Sequence, residues 1–109
     1  MTTLSTHVLD TAHGCPAAGV KIRLFDAADA WLFEGFTNGD GRCPALPELR
    51  GGTYRIDFFV ADYFRSKGVT LPDPPFLDVV PIAFGTGREG HYHVPLLVSP
   101  YGYSTYRGS

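Results

Sequence analysis

Glycine and proline punctuate the whole chain, 13 of one and 9 of the other in 109 residues. They are spread so evenly that no long stretch is free of a helix breaker. Each weakens a helix interior, by about 1 kcal/mol for Gly and about 3 kcal/mol for Pro relative to Ala. A helical bundle is therefore excluded, and short strands joined by turns remain. An apolar fraction of 44% is enough for a core and too high for disorder. The length gives the expectation of one domain over residues 1–109.

The hydrophobic pattern locates the strands. Leu4 to Asp10 alternates, with Ser and Thr blurring its two faces. Val20 to Phe25 carries the cleanest signal: Val20, Ile22 and Leu24 share one face, Lys21 and Arg23 the other. Trp31 to Thr37, Thr53 to Val60, Phe76 to Phe84 and His91 to Val98 also read as strands, and Tyr103 to Arg107 as a last short one. Pro81 puts its strand at an edge or a bulge, and Pro95 interrupts another. Ala12 to Gly19, Asp26 to Asp29, Asn38 to Gly41, Gly51-Gly52 and the Gly85–Gly90 stretch read as turns or loops. The one helix expected is Ala61 to Lys67, which has no β-branched residue and is followed by Gly68 at the position of a C-cap. Seven or eight short strands at turn-punctuated intervals predict an all-β, antiparallel β-sandwich.

Charge and cysteine content narrow the function classes. Nine basic residues against eleven acidic ones, a formal charge of −2, give no basic surface for nucleic acid or anionic membranes. No apolar run reaches the roughly 18 residues of a membrane span, and the first residues do not read as a secretory signal. A cytoplasmic location is the expectation. Cys15 and Cys43 form no disulfide framework or metal motif and read as reduced thiols without a task.

The chemistry must come from histidine and arginine. Taken alone, His7 reads as a partly buried histidine bonded to its surroundings, His13 as a solvated loop residue and Arg42 as a surface charge after a tight turn. His91 and His93, two apart, point to one face of a strand. With His7 they are a conceivable zinc set, although no Cys or carboxylate pattern accompanies them. The glycines of Gly85-Thr86-Gly87-Arg88-Glu89-Gly90 have dinucleotide-fingerprint spacing but open no helix of a βαβ unit, so that reading is rejected. Tyr101, Tyr103, Tyr106 and Arg107 crowd the end of the sequence. They suit either a packed tail or a site for a flat, hydrogen-bonding ligand.

Three segments in order carry a family resemblance: LSTHVLDTAHGCPA at 4–17, TNGDGRC at 37–43, and HYHVPLLVSPYGYSTYRGS at 91–109, which ends in the tetrapeptide YRGS. DYF at 62–64 and the Pro/Phe-rich stretch before Val79 also fit. Together they resemble the transthyretin-related proteins that are 5-hydroxyisourate hydrolases. The resemblance implies a transthyretin-like sandwich of two four-stranded sheets with one short helix, assembled as a homotetramer, a dimer of dimers. It implies opening of 5-hydroxyisourate, the product of urate oxidation, without a cofactor or metal. It assigns catalysis to His7, Arg42 and His93 and substrate binding to Tyr106, Arg107, Gly108 and Ser109. The chemistry is consistent with that assignment: ring opening of a cyclic amide needs a base for water, which a neutral imidazole supplies, and a donor for the oxyanion, which a guanidinium supplies.

Overall fold

The computed structural model describes all residues from Met1 to Ser109. Eight strands and one helix follow one another: β1 (Thr2–Asp10), β2 (Cys15–Pro16), β3 (Lys21–Asp26), β4 (Trp31–Phe36), β5 (Gly52–Phe59), α1 (Val60–Ser66), β6 (Val79–Thr86), β7 (Gly90–Ser99) and β8 (Gly102–Thr105). They form two four-stranded sheets, ordered β2-β1-β7-β8 and β4-β3-β5-β6. The expected sandwich of two four-stranded sheets with one short helix is thus the fold. All ladders are antiparallel except β1 with β7, which run parallel over the whole of β1. The pairing joins an early strand to a late one, and the entire second sheet lies between them in sequence.

The facing sides of the sheets enclose one core, in which Val8, Ile22, Leu24, Ile56, Phe58, Val80, Leu96 and Val98 are fully buried. Each comes from the alternate positions of its strand, as period-two alternation requires. The inner face of β1 is half polar, with Thr2, Thr6 and Asp10 buried beside Leu4 and Val8. Their polarity is satisfied locally: the Thr2 hydroxyl donates to the Gly87 carbonyl at 2.6 Å and the Thr6 hydroxyl to the Val94 carbonyl at 2.7 Å. This is why a strand that blurs inside and outside in sequence still has one defined inner face.

Helix α1 closes the sandwich with Val60, Ala61, Tyr63 and Phe64 buried. It ends in a Schellman motif: Gly68 N–H bonds the Arg65 carbonyl and Val69 N–H the Phe64 carbonyl, with Gly68 at φ +80°. The Tyr63 hydroxyl donates to Asp10 at 2.8 Å, tying the helix to the end of β1. The same Asp10 carboxylate accepts from the backbone amides of Ala12 and His13 and stands 2.5 Å from His13 Nδ1. His13 is exposed, as expected, and its ring also bonds Asp10. Burial alone would raise the Asp10 pKa, but the hydrogen bonds from His13 and Tyr63 outweigh it and hold it below the usual carboxylate value.

Some boundaries differ from expectation, each for a visible reason. The strand expected from Phe76 starts at Val79, because its partner β5 ends at Phe59, the residue paired with Val79. The Asp78 carbonyl is instead taken by Ala61 N–H at the start of α1. The loop over residues 12–19 contains β2, because Gly14 at φ +67° returns the chain to pair Cys15 and Pro16 with Asp10 and Leu9. β6 runs into the expected glycine loop as far as Thr86, which still has a partner in Gly52. Pro81 lies on an edge strand, as its missing N–H requires. Pro95 lies on an interior strand, where β8 has just left the ladder after Thr105 and the Thr105 hydroxyl donates to the Pro95 carbonyl at 2.7 Å.

Candidate active site

Alternation that points Thr6 and Val8 inward points Thr3, Ser5, His7 and Leu9 to the outer face of the first sheet. On β7 the same rule turns His91 and His93 outward, between inward-facing Tyr92, Val94 and Leu96. The parallel register sets Thr3 beside His91, Ser5 beside His93 and His7 beside Pro95. His7 and His93 are consequently diagonal neighbours on one face.

Two irregular segments extend that face on either side. The first is the turn at 38–41. Asn38 Oδ1 accepts the amides of Asp40 at 2.9 Å and Arg42 at 3.1 Å, which closes the turn. The Gly41 carbonyl then accepts the Val8 amide at 2.8 Å, so the turn docks on β1 and Arg42 stands opposite His7 in an isolated antiparallel bridge. Gly41 is buried, has φ +75°, and lies where a Cβ would overlap the Val8 carbonyl. Only glycine fits there without strain. The Arg42 side chain is exposed and pairs with no carboxylate of the chain.

The second segment is the tail. After β8 it returns to β7, and the Gly108 amide donates to the His93 carbonyl at 2.9 Å. A Cβ on Gly108 would overlap the His93 ring, so the tail crosses the imidazole closely. Four backbones thus lie side by side and bring Arg42, His7, His93 and Gly108 together.

Tyr106 and Arg107 face elsewhere within this chain. They line an open cavity of about 470 Å³ between β6 and β8, with Phe84, Tyr92 and Val94. The Arg107 guanidinium stacks on the Tyr92 ring at 4.1 Å and donates to the His91 carbonyl at 3.4 Å. Ser109 is exposed. Of the seven expected site residues, four converge and three do not contact that group within one chain.

His93 is half-buried, and its pKa lies below the ordinary value of a histidine. Burial is the main cause, and the nearby charges of Arg42, His7 and His91 add to it. At neutral pH its imidazole is a base rather than a cation. Its Nδ1 lies 2.7 Å from the Ser5 hydroxyl, which leaves Nε2 for a substrate or water. The Ser5 hydroxyl also lies 2.8 Å from His91 Nε2, and the Thr3 hydroxyl lies 2.7 Å from His91 Nδ1. No three His, Cys, Asp or Glu side chains gather as a metal-ligating group, and both His91 nitrogens have hydroxyl neighbours instead.

Ser5 and Thr3 were not singled out in the sequence. A sequence signal for them existed: Thr3, Ser5 and His7 share one parity on the first strand, as His91 and His93 do on theirs. What could not be read was that the two strands are parallel neighbours in that register.

Two imidazoles, that of His93 neutral at pH 7, and a guanidinium without a carboxylate partner thus share the outer face of one sheet, a set of groups capable of acid–base chemistry. A family model described as the HIUase/transthyretin family matches residues 4–108. The chain belongs to that family. It is 55% identical to 5-hydroxyisourate hydrolase of Mesorhizobium japonicum, over 97% of this chain and 91% of that protein. It is 52% identical to 5-hydroxyisourate hydrolase of Pseudomonas aeruginosa, over 97% and 90%. Among solved structures it superposes on 5-hydroxyisourate hydrolase of Klebsiella pneumoniae with a TM-score of 0.86, 36% identity and full coverage of both chains. It superposes on (S)-allantoin synthase with a TM-score of 0.91 and 44% identity, covering 99% of this chain but spanning only 44% of that one. Sea bream transthyretin in complex with thyroxine matches with a TM-score of 0.84 at 30% identity, over 96% of this chain and 93% of that one. No helix of the chain is long and apolar enough to cross a membrane.

Proposed function

We propose that this protein hydrolyses 5-hydroxyisourate to 2-oxo-4-hydroxy-4-carboxy-5-ureidoimidazoline in urate degradation, as a single domain in the cytoplasm. The observation that carries the reading is the convergence of His7, Arg42, His93 and the Gly108 backbone on one sheet face. Relatives bearing the hydrolase name at 52–55% identity support it.

In this reading neutral His93 removes a proton from water through Nε2, and the hydroxide oxygen bonds the ring carbonyl carbon. Arg42 offers N–H donors and charge to the oxyanion that forms. The C–N bond then breaks, its electron pair leaves with nitrogen, and that nitrogen takes a proton. His7, beside Arg42 and diagonal to His93, positions water or substrate. No step calls for a metal.

On a single chain this site is an open face, and none of the chain's cavities includes His7, Arg42 or His93. A homotetramer, in which sheet faces of two dimers meet, would enclose it. The free edges of β6 and β8, with Tyr101, Tyr103 and Tyr106 exposed near one of them, suit the pairing of chains within each dimer. Across such contacts Tyr106, Arg107 and Ser109 would reach substrate.

The test is to mix the protein with freshly made 5-hydroxyisourate and follow its ultraviolet absorbance. A decay well above the spontaneous rate, unaffected by a chelator and lost in His93→Ala, is the expected result. A decay no faster than the spontaneous one would favour a carrier of the transthyretin kind. Chelator-sensitive turnover restored by zinc would move the mechanism to a metal.

A further inference from the structure

Thr3, His91, Ser5 and His93 form one continuous chain of hydrogen-bonding groups on the outer face of the first sheet, and one self-consistent set of bond directions runs through it from the Thr3 end. The Thr3 hydroxyl lies 3.5 Å from the Gly90 carbonyl, which can only accept. With its proton directed there, Thr3 Oγ1 receives N–H from His91 Nδ1, 2.7 Å away. Neutral His91 then has its lone pair on Nε2, and the Ser5 hydroxyl, 2.8 Å away, donates to it. A serine hydroxyl has one proton. In this set Ser5 Oγ accepts from His93 Nδ1–H at 2.7 Å, which places the His93 lone pair on Nε2.

Resting on the hydrolase reading above, we propose that Ser5 and His91 are positioning residues that act through His93: they fix its basic tautomer and relay its second proton to and from the surface. As water gives a proton to His93 Nε2, the Nδ1 proton moves to Ser5 and the Ser5 proton moves to His91 Nε2. His93 stays neutral and now carries its proton on Nε2. The positive charge sits on His91, which is solvent-exposed and keeps its Nδ1–H on Thr3 throughout. When the C–N bond breaks, His93 Nε2–H protonates the departing nitrogen. The relay then runs back, from His91 through Ser5 to His93 Nδ1. One water is consumed and the catalyst returns to its first state. A single imidazole thereby serves as base and then acid without holding a charge beside Arg42 and His7.

The charged and titratable groups facing this chain are His7 on β1, Arg42 on the turn, and Arg107 on the tail, whose guanidinium bonds the His91 carbonyl. Burial, Arg42 and His7 disfavour a charge on half-buried His93, whereas His91 is exposed to water.

The test has two independent readouts. Nitrogen-15 NMR of the unliganded protein reports the His93 tautomer. The wild type is expected as Nδ1–H, Ser5→Ala as the Nε2–H form that free histidine prefers, and Ser5→Thr as the wild type. This readout needs no substrate, so it stands even if 5-hydroxyisourate is not turned over. Where turnover is measured, Ser5→Ala and His91→Phe should lower kcat by about tenfold or more, a part of what a positioned acid–base group contributes. KM should change little, and Ser5→Thr should restore kcat. A wild-type His93 protonated on Nε2 at neutral pH would overturn the proposal, and so would a folded Ser5→Ala protein with unchanged tautomer and kcat.

Discussion

Gly108 and His93 are held backbone to backbone, the Gly108 amide on the His93 carbonyl at 2.9 Å, with the Gly108 α-carbon so near the imidazole that no side chain fits between them. The tail thus orients the ring from one side while Ser5 holds Nδ1 from the other. Gly108→Ala must push away either the tail or the ring. A displacement of about 1 Å in such a site costs on the order of 100-fold in rate. We expect kcat/KM to fall by about that factor while the far-ultraviolet dichroism is unchanged.

Gly41 plays the matching part for Arg42, since its φ of +75° and its contact with the Val8 carbonyl let the turn dock on β1. A side chain in this conformation costs about 1–2 kcal/mol before any clash. Gly41→Ala should therefore lose both stability and turnover. Urea unfolding and steady-state kinetics on the same sample check it: lost activity with full stability would show that the turn had only shifted.

Much of this was legible in the sequence. Alternation in Val20–Phe25 placed its faces correctly, and of the two positions Pro81 allowed, an edge or a bulge, its strand takes the edge. Only the resemblance pointed to His7, Arg42 and His93, each of which alone looks like an ordinary surface or core residue; the structure sets the three on one sheet face. What was not legible is what depends on long-range register. Ser5 is unremarkable until β1 lies parallel to β7 and sets it beside His93. Nor could the sequence tell that Tyr106 and Arg107 turn toward β6 while their neighbour Gly108 turns onto His93, since both follow from where the tail leaves the ladder at Thr105.

The lowered pKa of His93 fixes the sign of two pH effects. Activity that needs neutral His93 should fall on acidification, with the acid limb of kcat/KM below the ordinary histidine value of about 6.5 rather than at it. Stability follows the same direction. Between the folded pKa and about 6.5 the unfolded chain binds the proton more readily, so stability rises with pH through that window and falls as pH drops through it. An NMR titration of His93 tests the cause as well: Arg42→Ala removes a neighbouring charge and should move its pKa up.

The Tyr63 hydroxyl bond to buried Asp10 joins α1 to the strand that carries His7. Tyr63→Phe deletes a hydrogen bond to a charged group, worth about 1.5–3 kcal/mol. The Asp10 pKa is low in the folded protein, so its contribution is present above about 3.9 and is lost as pH falls through the folded value. Urea unfolding at neutral pH should show the Tyr63→Phe deficit, and at strongly acid pH the two proteins should converge. A deficit that persists there would mean that the phenol hydroxyl bonds the neutral Asp10 carboxyl as well, so that the bond does not depend on the carboxylate charge.

Residues 106–109 contribute almost nothing to the core, since only Gly108 among them is even partly buried. Their removal should leave the sandwich folded, with a melting temperature near that of the intact chain. It should nevertheless abolish turnover, because it takes away the backbone that lies against His93 and the residues proposed to reach a neighbouring chain's substrate. Light scattering distinguishes the two contributions. The intact protein is expected at about four chains, a closed assembly. A truncated protein that remains tetrameric but inactive would place the tail's role in the site, against His93 or the substrate, whereas one that dissociates would place it at the interface. A truncated protein with unchanged turnover would remove the tail from the mechanism altogether.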